Sequence, residues 1–343
     1  MQQRLTDVFN SINRRQIKYC LLRGVDELSI DSNKKEIDLL VLPDYIDEFT
    51  MVAKQHGFVT LPSWGHAPHH FFLAYEKNSD TWIKLDVVTM QVYGRPFRYL
   101  HLELAESFAG NRIRYEALFT LYPQHEFFTQ FLHCLLDKGR FASTHRCRLE
   151  DLLLFISNNK QYYAEIGNLF NTYFPDLQAW EHVQHLIKNN HWDEVMQLEK
   201  TFCKKLFQQH SVKNTGFYFR NRLERMLRPL LFTLYRHGLS IVLLAPDGAG
   251  KSTLAENLVG EDIFRARLIY MGSNIDAATI SLPTTRVFKR LVKNSGSESE
   301  FIKKPLKAAS YINRLMEQWL RIAVGIYHKT RGRFIIFDRY VYD

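Results

Sequence analysis

The sequence predicts an α/β chain in three stretches: an N-terminal mixed sheet, a helical middle, and a C-terminal partial three-layer parallel sheet. Three observations carry that prediction. Short apolar runs interrupted by acidic residues fill 18–88 and are bounded by Gly and Pro. Aromatic and leucine side chains recur at helical spacing over 127–156. From 239 onward, strand, glycine-rich turn, helix, strand, helix and strand follow one another, the pattern of a parallel sheet.

Taken in order, residues 5–17 read as a short amphipathic helix with Leu5, Val8, Phe9 and Ile12 on one face. Strands follow at 18–22, ending at Arg23-Gly24, and at 36–42, stopped by Pro43-Asp44. Residues 45–56 form a helix closed by Gly57. Strands at 71–75 and 82–88 flank a turn at 76–80. From about 102 to 209 the pattern is helical, with Phe127, Phe128, Phe131, Leu132 and Leu135 at one spacing and Leu149, Leu152, Leu153 and Ile156 at another. Residues 211–216 read as a linker, and 217–234 as a basic amphipathic helix carrying Arg220, Arg222, Arg225 and Arg228. A buried-type strand spans 239–245, a helix starts at Lys251, and a strand covers 267–271. Residues 294–300 are flexible by composition. A helix over 306–327 places Ile312, Leu315, Trp319, Ile322 and Ile326 on one side, and a last strand runs over 334–337. The expected domains are 1–105, 106–210 and 211–343.

A chain of 343 residues with 46% apolar and 24% charged side chains builds packed cores, which excludes a disordered or collagen-like protein. It contains no uncharged apolar run of about 18 residues, and residues 1–15 contain no apolar signal core. The four cysteines, Cys20, Cys134, Cys147 and Cys203, are therefore read as reduced thiols of a cytoplasmic protein. The net charge of +9 is divided unevenly: residues 1–200 sum to −4 and 201–343 to +13. A basic half points to an anionic partner: nucleotide phosphates, nucleic acid or a membrane surface.

The sharpest motif is Ala245-Pro246-Asp247-Gly248-Ala249-Gly250-Lys251-Ser252-Thr253, after a strand and at the start of a helix. Gly248 and Gly250 permit backbone angles a side chain obstructs, so successive amides can form an anion nest with Ala249. The helix start adds its positive end. Lys251 can reach β- and γ-phosphates, and Ser252 offers a hydroxyl to Mg²⁺. The first glycine of the usual pattern is Ala245 here. The motif, with Asp247 inside it, resembles the phosphate loop (P-loop) of thymidylate kinases. The terminal Asp338-Arg339-Tyr340-Val341-Tyr342-Asp343 is similar to thymidylate-kinase-like proteins of bacterial surface-polysaccharide gene clusters. The resemblance implies ATP and Mg²⁺ as cofactors, Gly248 to Thr253 as the nucleotide cradle, and Ser252 with Asp338 at the metal. It also implies that Asp247 contacts the acceptor, Asp338 serves the metal or the acceptor, and Arg339 holds a phosphate. Two features depart from that family. Tyr270-Met271-Gly272-Ser273-Asn274 stands where thymidylate kinases carry a Thr-Arg-Glu-Pro-Gly-like motif. The sequence also ends just after the third strand, where the family continues with two strands and an arginine lid, so a C-terminally truncated domain is expected.

A second constellation lies near the N-terminus. Glu36 and Asp38 alternate on one strand and so share a face, and Asp86 on another strand can join them. Three converging carboxylates make an oxygen-ligand site for Mg²⁺; solvent-facing acids on an amphipathic sheet, with Lys84 as ion-pair partner, are the alternative. The pattern resembles the nucleotidyltransferase superfamily that includes DNA polymerase beta. Val25 stands where that family has Ser after Gly24, and no glycine lies in 26–35.

The combined expectation for the full-length protein is an ATP-dependent P-loop phosphotransferase acting on a nucleoside or sugar phosphate, behind a nucleotidyltransferase-like domain; for residues 1–343 alone it is nucleotide binding without turnover. The alternatives are a non-catalytic nucleotide-binding or assembly protein of polysaccharide synthesis, and nucleotidyl transfer by the N-terminal domain. The expected partners are a nucleotide and a small phosphorylated acceptor, with no nucleic acid. The basic stretch Arg286, Lys289, Arg290, Lys293, Lys303, Lys304 and Lys307 reads as a solvated face, with a peripheral membrane contact and a homo-oligomer left open. His66, His69 and His70 lack zinc-site spacing, and His133, Cys134, His145 and Cys147 read as helix residues without a site role.

Overall fold

The computed structural model describes residues 3–24, 36–77, 79–175, 178–235, 238–246, 248–260, 266–272, 279–294 and 300–338. The chain divides into two compact units, Met1–Arg225 and Met226–Asp343.

The first unit is built on a seven-stranded mixed sheet in the order β3-β4-β5-β2-β1-β9-β8. Its strands are β1 (Tyr19–Leu21), β2 (Glu36–Val41), β3 (Val59–Leu61), β4 (His69–Glu76), β5 (Thr81–Val88), β8 (Arg112–Tyr115) and β9 (Leu118–Leu121). A two-stranded ribbon pairs β6 (Gln91–Tyr93) with β7 (Leu100–Leu102). On one face of the main sheet lie α1 (Gln3–Arg14) and α2 (Ile46–Gln55). Leu5, Val8, Phe9 and Ile12 of α1 and Phe49 and Val52 of α2 bury against Ile37, Leu39, Ile83, Leu85 and Val87. The opposite face of β2 and β5 is thereby left to Glu36, Asp38, Lys84 and Asp86.

A short helix α3 (Ala105–Gly110) precedes the β8–β9 hairpin. The helical layer then consists of α4 (Pro123–Leu132), α5 (Ser143–Ser157), α6 (Lys160–Tyr173), α7 (Ala179–Lys188) and α8 (Trp192–Gln209). Pro123 starts α4 after an extended Tyr122, where a missing amide hydrogen costs nothing. Asn159 caps α6, its side-chain oxygen accepting from the amides of Gln161 and Tyr162. Phe127, Phe128, Phe131, Phe170, Phe174 and Trp180 form the aromatic centre, and Cys20, Leu22, Leu40 and Val88 join it from the sheet. A wide turn at His133–Lys138 continues α4 and ends at Gly139, whose φ of +62° suits glycine.

Two expectations change here. The stretch from 102 onward is not wholly helical. Arg112–Tyr115 and Leu118–Leu121 are strands that complete the sheet, so the sheet extends past residue 105. Residues 211–216 are not a linker either: α9 (Ser211–Tyr235) begins at Ser211, with Pro229 inside it. Buried Asn214 anchors that first turn, its amide donating to the Leu206 and Phe207 carbonyls.

The second unit holds a parallel sheet in the order β10-β12-β11, from β10 (Ser240–Leu243), β11 (Arg267–Tyr270) and β12 (Ile335–Asp338). One face packs on α10 (Lys251–Gly260) through Ala255, Leu258, Ile241 and Ile336. The other packs on α12 (Glu300–Thr330) through Ile322, Val324, Ile269 and Ile335, giving three layers. Gly325 makes this approach possible, since a Cβ there would lie 2.8 Å from the Phe337 ring. The apolar stripe expected on this helix is mostly outside: Trp319 is 70% exposed, and Ile312 and Ile326 are exposed too. The buried stripe at four-residue spacing is Asn313, Glu317 and Arg321. These side chains bond Thr284 and Thr285 of α11 (Pro283–Asn294) and the Tyr270, Gly272 and Ile280 carbonyls. No helix among the described residues is long and apolar enough to cross a membrane.

Candidate functional site

In the second unit, chain order fixes the site. The strand β12 lies between β10 and β11, so its last residue, Asp338, sits level with Leu243 at the mouth of the glycine-rich turn. Gly248 and Gly250 both adopt positive φ, +83° and +78°. A Cβ added to either would meet no atom within 4 Å, so the backbone angle rather than crowding is what demands glycine. The helix α10 begins at Lys251, and its first-turn amides point back at the turn without intrahelical acceptors. Ser252 Oγ stands 3.3 Å from Asp338 Oδ2. Asp338 is only 6% exposed, and its Oδ1 is sealed from solvent with no hydrogen-bond partner among the described residues. Lys251 folds back over the turn and donates to the carbonyls of Ala245 and, at 2.7 Å, Pro246. Ala249 and Thr253 are near these groups in sequence, and Ala249 closes the turn by donating its amide to the Pro246 carbonyl at 3.3 Å. Asp247 and Arg339 lie outside the described residues.

Asp338 and Ser252 are a hard oxygen pair, and a buried carboxylate oxygen without a donor is what a divalent cation satisfies. The residues present fit Mg²⁺.

In the first unit, β2 and β5 run parallel with Asp38 beside Asp86 and Glu36 beside Lys84. One carboxylate oxygen from each of Glu36, Asp38 and Asp86 lies within 4.8 Å of the others. The three line a cleft of ≈ 290 Å³ with Arg23, Arg98, Glu126, His133, Lys138 and Arg148 among its walls. Each acid has a basic partner: Lys84 Nζ to Glu36 at 2.5 Å, Arg23 Nε to Asp38 at 2.8 Å, and His69 Nδ1 to Asp86 at 2.5 Å. Burial opposes the charge of Asp86, but the His69 hydrogen bond and charge outweigh it and hold the carboxyl below its ordinary range. Burial also works against the Arg23 charge, and the Asp38 partner more than offsets it. Behind these groups, His133 Nδ1 meets Asp137 Oδ2 at 3.1 Å. Burial, then the Arg23 charge, push His133 down from 6.5 to about 4, so it is neutral at pH 7. A hollow of ≈ 500 Å³ lined by Tyr122, His125 and Tyr162 shares no wall residue with this cleft.

Alternation in the sequence places Glu36, Asp38 and Asp86 on one face, whereas Arg23, His69, His133 and Arg148 join them only in the fold. Strand pairing brings Arg23 and His69 to acids 15 and 17 residues away, helix packing brings Arg148 to Glu126 22 residues away, and His133 meets Asp137 one turn on. The alternation around Asp86, opposite a strand rich in histidine, was the one available signal for His69.

No protein-family model matches this chain, and neither does any curated protein. Among solved structures, the solution structure of the antibiotic-resistance factor ANT(2'')-Ia is similar over 52% of this chain and 95% of its own, with a TM-score of 0.35 and 11% identity.

Proposed function

We propose that the protein binds ATP with Mg²⁺ at the glycine-rich turn of its second unit and passes the γ-phosphoryl group to an oxygen of a small phosphorylated acceptor, leaving ADP. One observation carries this reading: the Ser252 hydroxyl beside a buried, half-unpartnered Asp338 carboxylate at the mouth of a turn with two left-handed glycines. Bound Mg²⁺ supplies positive charge for the phosphates; Ser252 and Asp338 would hold it. The first-turn amides of α10 receive phosphate oxygens. Lys251 exchanges its two loop carbonyls for phosphate, which orients the chain of phosphates without covalent chemistry. By the resemblance alone, Asp247 contacts the acceptor and Arg339 holds the acceptor's phosphate or the transferred group. Calorimetry with Mg-ATP tests the reading: Lys251→Ala loses most of the affinity, and wild-type affinity in that variant overturns it.

A second reading rests on the side-by-side Asp38 and Asp86 with Glu36, a cation site suited to nucleotidyl transfer in the first unit. Here a cation has to displace Lys84 and Arg23 from their carboxylates. Unchanged turnover in Asp38→Asn, over a panel of nucleotides and sugar phosphates, removes it. A non-catalytic first unit is favoured by the same pairings, since each acid is already partnered.

A further inference from the structure

Outside both sites, His101, Glu103 and His210 bring one ligand atom each to within 4.8 Å of the others. His101 lies on β7, opposite Val92 of the ribbon, and Glu103 follows two residues on. His210 is the single residue between α8 and α9. His101 is 6% exposed, and its Nδ1 is sealed from solvent with no hydrogen-bond partner among the described residues. A buried imidazole nitrogen without a partner is an exception that calls for a reason. The two imidazoles meet edge to face, centroids 5.5 Å apart.

The frame around the three is fixed. Wholly buried Asn214 accepts from the His101 amide at 2.9 Å and donates to the Leu206 and Phe207 carbonyls, tying β7 to the end of α8. The His210 carbonyl accepts from the Asn214 amide at 2.8 Å, and Phe217 stacks on the His101 ring. Such support orients ligands in metal sites. One group competes: Lys213 Nζ lies 2.6 Å from Glu103 Oε1.

We infer that His101, Glu103 and His210 form a zinc-class metal site that clips the α8–α9 junction to the β6–β7 ribbon. Two imidazoles and a carboxylate suit a borderline divalent ion such as Zn²⁺ or Co²⁺, whereas Mg²⁺ selects oxygen ligands. Both His210 and Glu103 reach solvent, which gives the ion an entry path and leaves a fourth position to water. Binding requires Glu103 to leave Lys213, so removing the lysine should tighten the site. No residue of the phosphate turn or the acid cleft takes part.

The test is titration of the chelator-treated full chain with Zn²⁺ by calorimetry and with Co²⁺ by visible absorption. Saturable binding of a single ion is expected, with a rise in melting temperature. His210→Ala, at a partly buried position outside the core clusters, weakens it roughly tenfold or more. Lys213→Ala tightens it several-fold, which a merely structural cluster would not do, and Asp86→Asn leaves it unchanged. The proposal is overturned by absence of saturable binding, by equal affinity in His210→Ala, by no gain in Lys213→Ala, or by loss in Asp86→Asn.

Discussion

Asp338→Asn should move stability and nucleotide affinity in opposite directions. The carboxylate is 6% exposed, and among the described residues one oxygen is sealed and unpartnered and the other has only a long contact to Ser252 Oγ. A buried polar group left unsatisfied costs about 1–3 kcal/mol, more when charged. The amide keeps an oxygen for Ser252 and removes the charge, so the ligand-free protein should gain about 1 kcal/mol. That corresponds to a rise in Tm of about 2–8 °C, according to domain size. With Mg-ATP the sign reverses. Loss of a charge-assisted contact costs about 1.5–3 kcal/mol, or roughly 10- to 150-fold in Kd. Thermal melts without ligand and calorimetry with Mg-ATP measure the two halves. Wild-type affinity in the variant would refute the assignment of Asp338 to the metal. A ligand-free loss of more than about 2 kcal/mol would refute the argument that its charge is carried for function at a cost to stability.

Three further outcomes follow from the first unit. His133 resists protonation in the fold, so its contribution is full above pH 6.5 and is lost as pH falls toward 4; at pH 5 the loss is about 2 kcal/mol, and urea denaturation of His133→Gln should lack that slope between pH 7 and 5. Asp38→Asn leaves the Arg23 guanidinium, whose side chain is 19% exposed, without its charged partner, and should cost about 2 kcal/mol, discounted from the fully buried case; a neutral result in denaturant would mean the pair is not structural. Phe170, with no exposed surface and rings of Phe128, Phe131, Phe174 and Trp180 around it, should cost about 3–5 kcal/mol on change to Ala; a loss below about 1 kcal/mol would mean the aromatic centre collapses around the gap.

Much of the fold was legible because its signals are local. The alternation of Glu36 and Asp38 with Ile37 and Leu39 places acids on one face and core on the other at period two. Strand, glycine turn and helix at 239–260 follow from residue type and spacing. Short strands were harder: three- and four-residue pieces such as Leu100–Leu102 and Arg112–Tyr115 contain too few alternations to announce themselves. The helix over 300–330 misled for a different reason. Its apolar residues are many, so a stripe can be drawn on more than one side, and the side that packs carries Asn313, Glu317 and Arg321 because polar partners from α11 and the end of β11 await them.

The sequence by itself determined the α/β character, the acid pair of β2, and the turn whose glycines must adopt left-handed angles, since each depends on neighbours within a few residues. Only the tertiary structure decided that β12 inserts between β10 and β11 and so brings Asp338 to Ser252, 86 residues away. It alone paired Arg23 with Asp38 and His69 with Asp86, and set His101 and Glu103 against His210. Those meetings depend on strand order and helix docking, which arise from the summed burial of whole faces. Such sums are not written at any one position of the chain.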